Sequence, residues 1–233
     1  MTLGGVEVRV TVLADSWLIA RKDLQVEIRS RIIINQIAPY TLLIMVLFGF
    51  ALDANTQTLR DTAPGLYWVA ILLVALLAIQ RGVQIEDADA ASDRMLLTPV
   101  APSSIFLGKS LALFVQLLVL EVLLFFVMMV LFDTSVEDPL LVCMSAFVAT
   151  VGIATSGTLY GVIASGVGVR ETLLPILLLP VLAPVAIGAT RTFGDAFGRV
   201  NADGWAWFGL LVVFAVVYTV LGMFSYGQFL EEE

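Results

Sequence analysis

One acidic residue, Glu121, stands alone in a long apolar run, with Gln116 five residues before it. A lone carboxylate in hydrocarbon is expensive, so Glu121 has to be protonated, paired or turned toward a polar cavity, and such residues are candidates for function. A proton or substrate site and a neutral acid hydrogen-bonded across a helix interface both remain open at this point. A second candidate is Ser103-Ser-Ile-Phe-Leu-Gly108-Lys109-Ser110, which nearly matches the phosphate loop G-x-x-x-x-G-K-S/T. It is rejected as a nucleotide site. Ser103 replaces the first glycine, the residues before it are rich in Pro and Ala rather than strand-like, and an apolar run follows directly. Lys109 is read instead as an interfacial charge that snorkels at a helix end. No ATPase site and no catalytic residue are expected. Histidine is absent and Cys143 is the single cysteine, which removes the usual metal ligands and any intrachain disulfide.

The elements that position these residues must be membrane helices. Hydrophobic residues make up 60% of the 233, and charged residues only 14%, more apolar surface than a water-soluble fold can hide. A spanning helix needs ~20 apolar residues, and six runs meet or approach that length: 32–52, 65–80, 105–132, 140–166, 173–190 and 205–226. The second is short. None alternates as a barrel strand does, so the expected fold is all-α and polytopic, with six transmembrane helices. The domain reading is a leader over 1–31, a membrane domain over 32–226 and an acidic tail over 227–233. A net charge of −8 argues against nucleic acid as a partner. The charged and mixed residues before the first apolar run do not read as a cleaved signal.

Basic residues set the expected orientation. Arg9, Arg21, Lys22, Arg29 and Arg31 precede the first run, Arg81, Arg94 and Lys109 flank the second connection, and Arg170 lies in the fourth. Arg60, Arg191 and Arg199 fall on the other side. Both termini are therefore expected in the cytoplasm, with Trp68, Trp205 and Trp207 near the outer interface. Residues 14–31 mix Trp17, Leu18, Leu24 and Ile28 with charges, the pattern of an interfacial amphipathic helix. The longest cytoplasmic loop, 81–104, carries Glu86, Asp87, Asp89 and Asp93 with Arg94, then Leu96 and Leu97, then Pro99 and Pro102. An acidic half followed by an apolar half reads as a short helix facing a partner.

Two later runs have marked composition. Gly157, Gly161 and Ser165 recur every four residues, which clears one helix face for close packing. Pro175, Pro180 and Pro184 each remove a backbone donor, so the fifth span is expected to be kinked or broken.

The leader, the two spans and the loop with Glu86, Leu96-Leu97-Thr98-Pro99 and Ile105-Phe106-Leu107-Gly108-Lys109, followed by four more spans, resemble the type-2 ABC export permeases. Within them, Ala63-Pro64-Gly65-Leu66-Tyr67-Trp68-Val69, Glu121 and Arg170-Glu171-Thr172-Leu173-Leu174-Pro175 with Pro180 and Pro184 resemble the CcmB family, membrane subunits of the haem exporter in cytochrome c maturation. The resemblance runs from about residue 15 to residue 226. It implies a bacterial inner-membrane protein working with a CcmA-like ATPase subunit that binds ATP, with CcmC-like and CcmD-like membrane proteins, and as a homodimer. It also makes 81–104 the coupling segment. Haem would be cargo of the complex; without histidine, no cofactor is expected to bind this chain directly. The alternatives are an export permease for a lipid, glycan or drug, and a proton-coupled carrier built on Glu121.

Overall fold

The computed structural model describes residues 12–231 apart from 32, 53–54, 89–99 and 166–169. Seven α-helices account for most of the described residues, and no strand occurs among them. They are α1 (Val12–Ser30), α2 (Ala38–Ala51) after a π-helical turn at Ile33–Ile37, α3 (Thr56–Ala88), α4 (Pro102–Leu131), α5 (Pro139–Ser165), α6 (Arg170–Ala196) and α7 (Gly204–Glu231). Five of them, α3 to α7, are long and apolar enough to cross a bilayer, and α1 with α2, bent by 52°, makes a sixth if the pair is one span. The fold is all-α and polytopic.

Local chemistry explains the ends. At one face of the bundle, Asn55 Oδ1 accepts from the Gln57 and Thr58 amides, Asp138 Oδ1 from Leu141, and Asp203 Oδ1 from Ala206, each at 3.1 Å. These carboxylates and this amide satisfy first-turn donors of α3, α5 and α7, which all start there. At the opposite face α4 starts with Pro102 in its first turn, where a missing amide costs nothing. The first of these faces is closed by loop contacts. The Glu137 and Asp138 amides donate to the Ala196 carbonyl at 2.9 and 3.0 Å, and the Arg60 guanidinium holds both the carbonyl and the carboxylate of Asp133. Gly198, at φ +63°, ends the turn after α6, and a β-carbon there would overlap the Glu137 carboxylate. Gly198→Ala should therefore cost about 1–2 kcal/mol from the left-handed backbone alone, read as a lower thermal midpoint in detergent; an unchanged midpoint would show that the turn relaxes freely.

Two expectations need correction. The second span is not short: α3 has 33 residues, ~50 Å at 1.5 Å per residue, because Pro64 lies inside the helix rather than before it. Trp68 is consequently not interfacial but fully buried. Of the two outcomes expected for the fifth span, kinked or broken, the break does not occur, since α6 runs unbroken through Pro175, Pro180 and Pro184. Pro180 and Pro184 lie on the exposed side of α6.

Helix α1 has three faces. Ser16 and Ala20 are buried, while Leu13, Trp17 and Ile28 lie on one exposed strip bordered by Arg21, and Lys22 and Arg29 occupy the remainder with Leu18. The small residues face α4, where a β-carbon on Gly108 would stand 2.7 Å from Ile19 Cβ and 2.8 Å from the Ser16 carbonyl oxygen. Ser104, Gly108 and Ala112, four apart and buried, form the matching strip on α4. The glycine of the rejected phosphate-loop match thus lets two backbones approach.

Candidate intramembrane polar site

Glu121 sits on α4 ten residues before its last residue, Leu131, and Thr150 and Tyr67 sit eleven residues after the first residues of α5 and α3. Those offsets place all three ~15–17 Å from the same face, near the middle of a ~30 Å hydrocarbon slab. The three helices bring them together. Thr150 Oγ1 lies 2.5 Å from Glu121 Oε2 and also 2.8 Å from the Ala146 carbonyl oxygen one turn back on α5. The Tyr67 hydroxyl donates to the main-chain carbonyl of Glu121 at 3.1 Å. Glu121 is only 3% exposed.

An aromatic wall fixes the Tyr67 side of this cluster. Its ring stacks on Phe193 of α6 at 5.3 Å and meets Phe125 of α4 edge-on at 6.3 Å, and Trp68 packs edge-on against Phe193 at 5.2 Å. Offset and edge contacts of this kind each add about 0.5–1.5 kcal/mol beyond burial. Four helices therefore share one polar and aromatic junction. Two of its side-chain atoms, Glu121 Oε1 and Trp68 Nε1, are buried without a hydrogen-bond partner among the described residues.

The other residues singled out from the sequence fall elsewhere. Gln116 is half-buried, and five residues turn it ~140° around α4 from Glu121, away from the junction. Gly157 and Gly161 lie against α3: a β-carbon on the first would overlap Ile79, and one on the second would come within 3.3 Å of Val83 Cγ2. Ser165 closes α5, with its side chain outside those described. Pro175 is half-buried near the start of α6. Lys109 is half-buried in the second turn of α4 rather than at its tip. Glu86 and Asp87 belong to the last turn of α3, while Asp93, Arg94, Leu96, Leu97 and Pro99 lie outside the described residues. Thr150 and Tyr67 were the partners that sequence reasoning missed. Thr150 is one of several hydroxyl residues on α5, and nothing in its spacing marks it.

Comparison with known proteins gives a consistent picture. The family model described as CcmB protein matches residues 14–232. Curated proteins named Heme exporter protein B are similar in sequence. The Pseudomonas aeruginosa protein is 29% identical over 181 residues, 76% of this chain and 80% of the relative. The Haemophilus influenzae protein is 26% identical over 199 residues, 85% of this chain and 90% of the relative. The match to the Escherichia coli K12 protein is 31% identical but shorter, spanning 96 residues, 41% of this chain and 44% of the relative. A match covering nearly the whole membrane bundle, from α1 through α7, shows that the chain belongs to the CcmB family.

Proposed function

We propose that this chain is the permease subunit of an ABC complex that exports or delivers haem for cytochrome c maturation in the bacterial inner membrane. The observation that carries this reading is the family match over residues 14–232 together with relatives named as haem exporters. ATP is bound and hydrolysed by a separate CcmA-like subunit, CcmC-like and CcmD-like proteins handle the cargo alongside it, and two copies of this chain form the membrane core. Both termini face the cytoplasm.

The geometry of α3 supports the coupling role of 81–104. Tyr67 lies near mid-membrane and Ala88 follows it by 21 residues, ~32 Å along the helix. Half of the hydrocarbon is only ~15 Å, so the last turns, with Glu86 and Asp87, stand clear of it on the side where α1 also docks. A rod that leaves the membrane beside an interfacial helix can receive a push from a soluble motor. The outward face of α6 supports a protein partner within the membrane. Pro180 and Pro184 cannot donate to the carbonyls of Ile176 and Pro180, and Ile176, Pro180 and Pro184 are all exposed on this chain. A carbonyl bare to lipid costs several kcal/mol, which favours a neighbour able to donate hydrogen bonds.

The test is to express the chain with its candidate ATPase and purify through either subunit. Replacing both Leu96 and Leu97 with Asp should abolish co-purification or the ATPase response while the solubilised chain keeps its helical circular dichroism. Unimpaired assembly and ATPase response would remove the coupling assignment. A deletion strain with normal covalent haem in its c-type cytochromes would reject haem as the cargo.

A further inference from the structure

The junction around Glu121 raises a question the export reading does not answer, namely what state the acid is in. As a carboxylate it would carry a full charge at 3% exposure, with the Thr150 hydroxyl on Oε2, no hydrogen bond on Oε1, and the Tyr67 hydroxyl as its other polar neighbour. No cation faces it. Arg60 lies seven residues before Tyr67 on α3 and is engaged with its own partner, Asp133. A buried charge so poorly compensated is unfavourable by several kcal/mol.

The hydrogens can be counted. A threonine hydroxyl has one proton and can also accept. On α5, the hydroxyls of Thr155 and Thr158 donate back to the carbonyls of Val151 and Ala154 at 2.9 and 2.8 Å, and Ser145 and Ser156 do likewise. Thr150 lies at the same 2.8 Å from Ala146 O. If its proton follows the pattern of its helix, the 2.5 Å contact to Glu121 Oε2 must contain a hydrogen supplied by Glu121.

We propose that Glu121 is a resident proton-binding site in the middle of the membrane. Its acid O–H donates to Thr150 Oγ1, whose own O–H donates to the Ala146 carbonyl. This two-link chain ties α4 to α5, and Tyr67 ties α3 to the same turn of α4. The Glu121 side chain is thereby a positioning group for α4 and α5, while Tyr67 reaches the main chain of the same residue. The proposal does not depend on the haem reading.

Infrared spectroscopy of the purified chain reads this without any cargo. The wild-type minus Glu121→Gln difference spectrum should contain a band in the carboxylic-acid C=O region that shifts down in deuterium oxide. Thr150→Val should move that band to higher wavenumber by removing the hydrogen bond, and Thr150→Ser should leave it in place. Glutamate labelled with carbon-13 at its carboxyl identifies the band in the wild-type protein should the glutamine variant fold poorly. A difference confined to the carboxylate stretching region, or an acid band that Thr150→Val leaves unmoved, would overturn the proposal.

Discussion

Replacing Gly108 with valine is expected to loosen α1 from the bundle and to raise the rate of tryptic cleavage at Arg21 and Lys22 by roughly fivefold to a hundredfold in the solubilised protein. The reason is where the added atoms must go. Even a single β-carbon would stand 2.7 Å from Ile19 Cβ and 2.8 Å from the Ser16 carbonyl oxygen, and neither is the loose end of a flexible chain. One is main chain and the other is fixed to it, so α1 has to translate as a body. Overpacking of this kind costs about 1–3 kcal/mol, and 1.4 kcal/mol corresponds to a factor of about ten in the docked population. Cleavage inside a helix follows local opening, so its rate reports that population. Arg21 and Lys22 are already on the exposed face, and undocking removes the neighbour that keeps the surrounding turns closed. Gly108→Ala should lie between wild type and valine. A wild-type cleavage rate in Gly108→Val would show that α1 is held elsewhere.

The second large effect lies between α4 and α7, where the Phe106 ring rests on Gly222 and any β-carbon at Gly222 would overlap it. Phe106 is fully buried beside Tyr226, with ring centroids 5.6 Å apart, so the ring has no open space to swing into. Phe106→Ala should lower stability by about 3–5 kcal/mol and Gly222→Ala by about 1–3 kcal/mol. The informative variant is the double one. The added methyl enters space the ring has vacated, so the double substitution should cost less than the sum of the singles by about 0.5–3 kcal/mol. Thermal unfolding in one detergent across the four proteins measures the coupling, and additivity within error would refute the contact.

These sites show what the sequence carries and where it stops. Apolar run length made the helices readable, since covering hydrocarbon is a requirement each segment meets by itself. Glu121 was readable for the same reason, as a carboxylate inside such a run is costly wherever the helix packs. Its partners were not. Thr150 and Tyr67 lie 29 and 54 residues away in the chain, and only the packing of α3, α4 and α5 selects them from other residues of their kind. Trp68 was misplaced because Pro64 reads locally as a helix boundary, whereas a long membrane helix tolerates the loss of one donor in its interior. The three prolines of α6 marked either a kink or a break, and the sequence could not choose: each deletes one hydrogen bond, and the helix runs on through all three. Gly108 fitted a nucleotide motif by spacing alone, and the face it clears became meaningful only with α1 laid across it.

The tie at Tyr67 also divides α3 into unequal arms. Eleven residues lead back to Thr56 and twenty-one lead on to Ala88, ~17 Å and ~32 Å of helix. A stiff rod that pivoted at that point would act as a lever of about two to one, with displacement at the Ala88 end arriving at the Thr56 end halved and reversed and force correspondingly multiplied. The short arm ends beside the Arg60–Asp133 clasp, and the long arm packs on the cleared surface at Gly157 and Gly161. A broad displacement at the Ala88 end would thus be geared down to a small, forceful one at the Thr56 end.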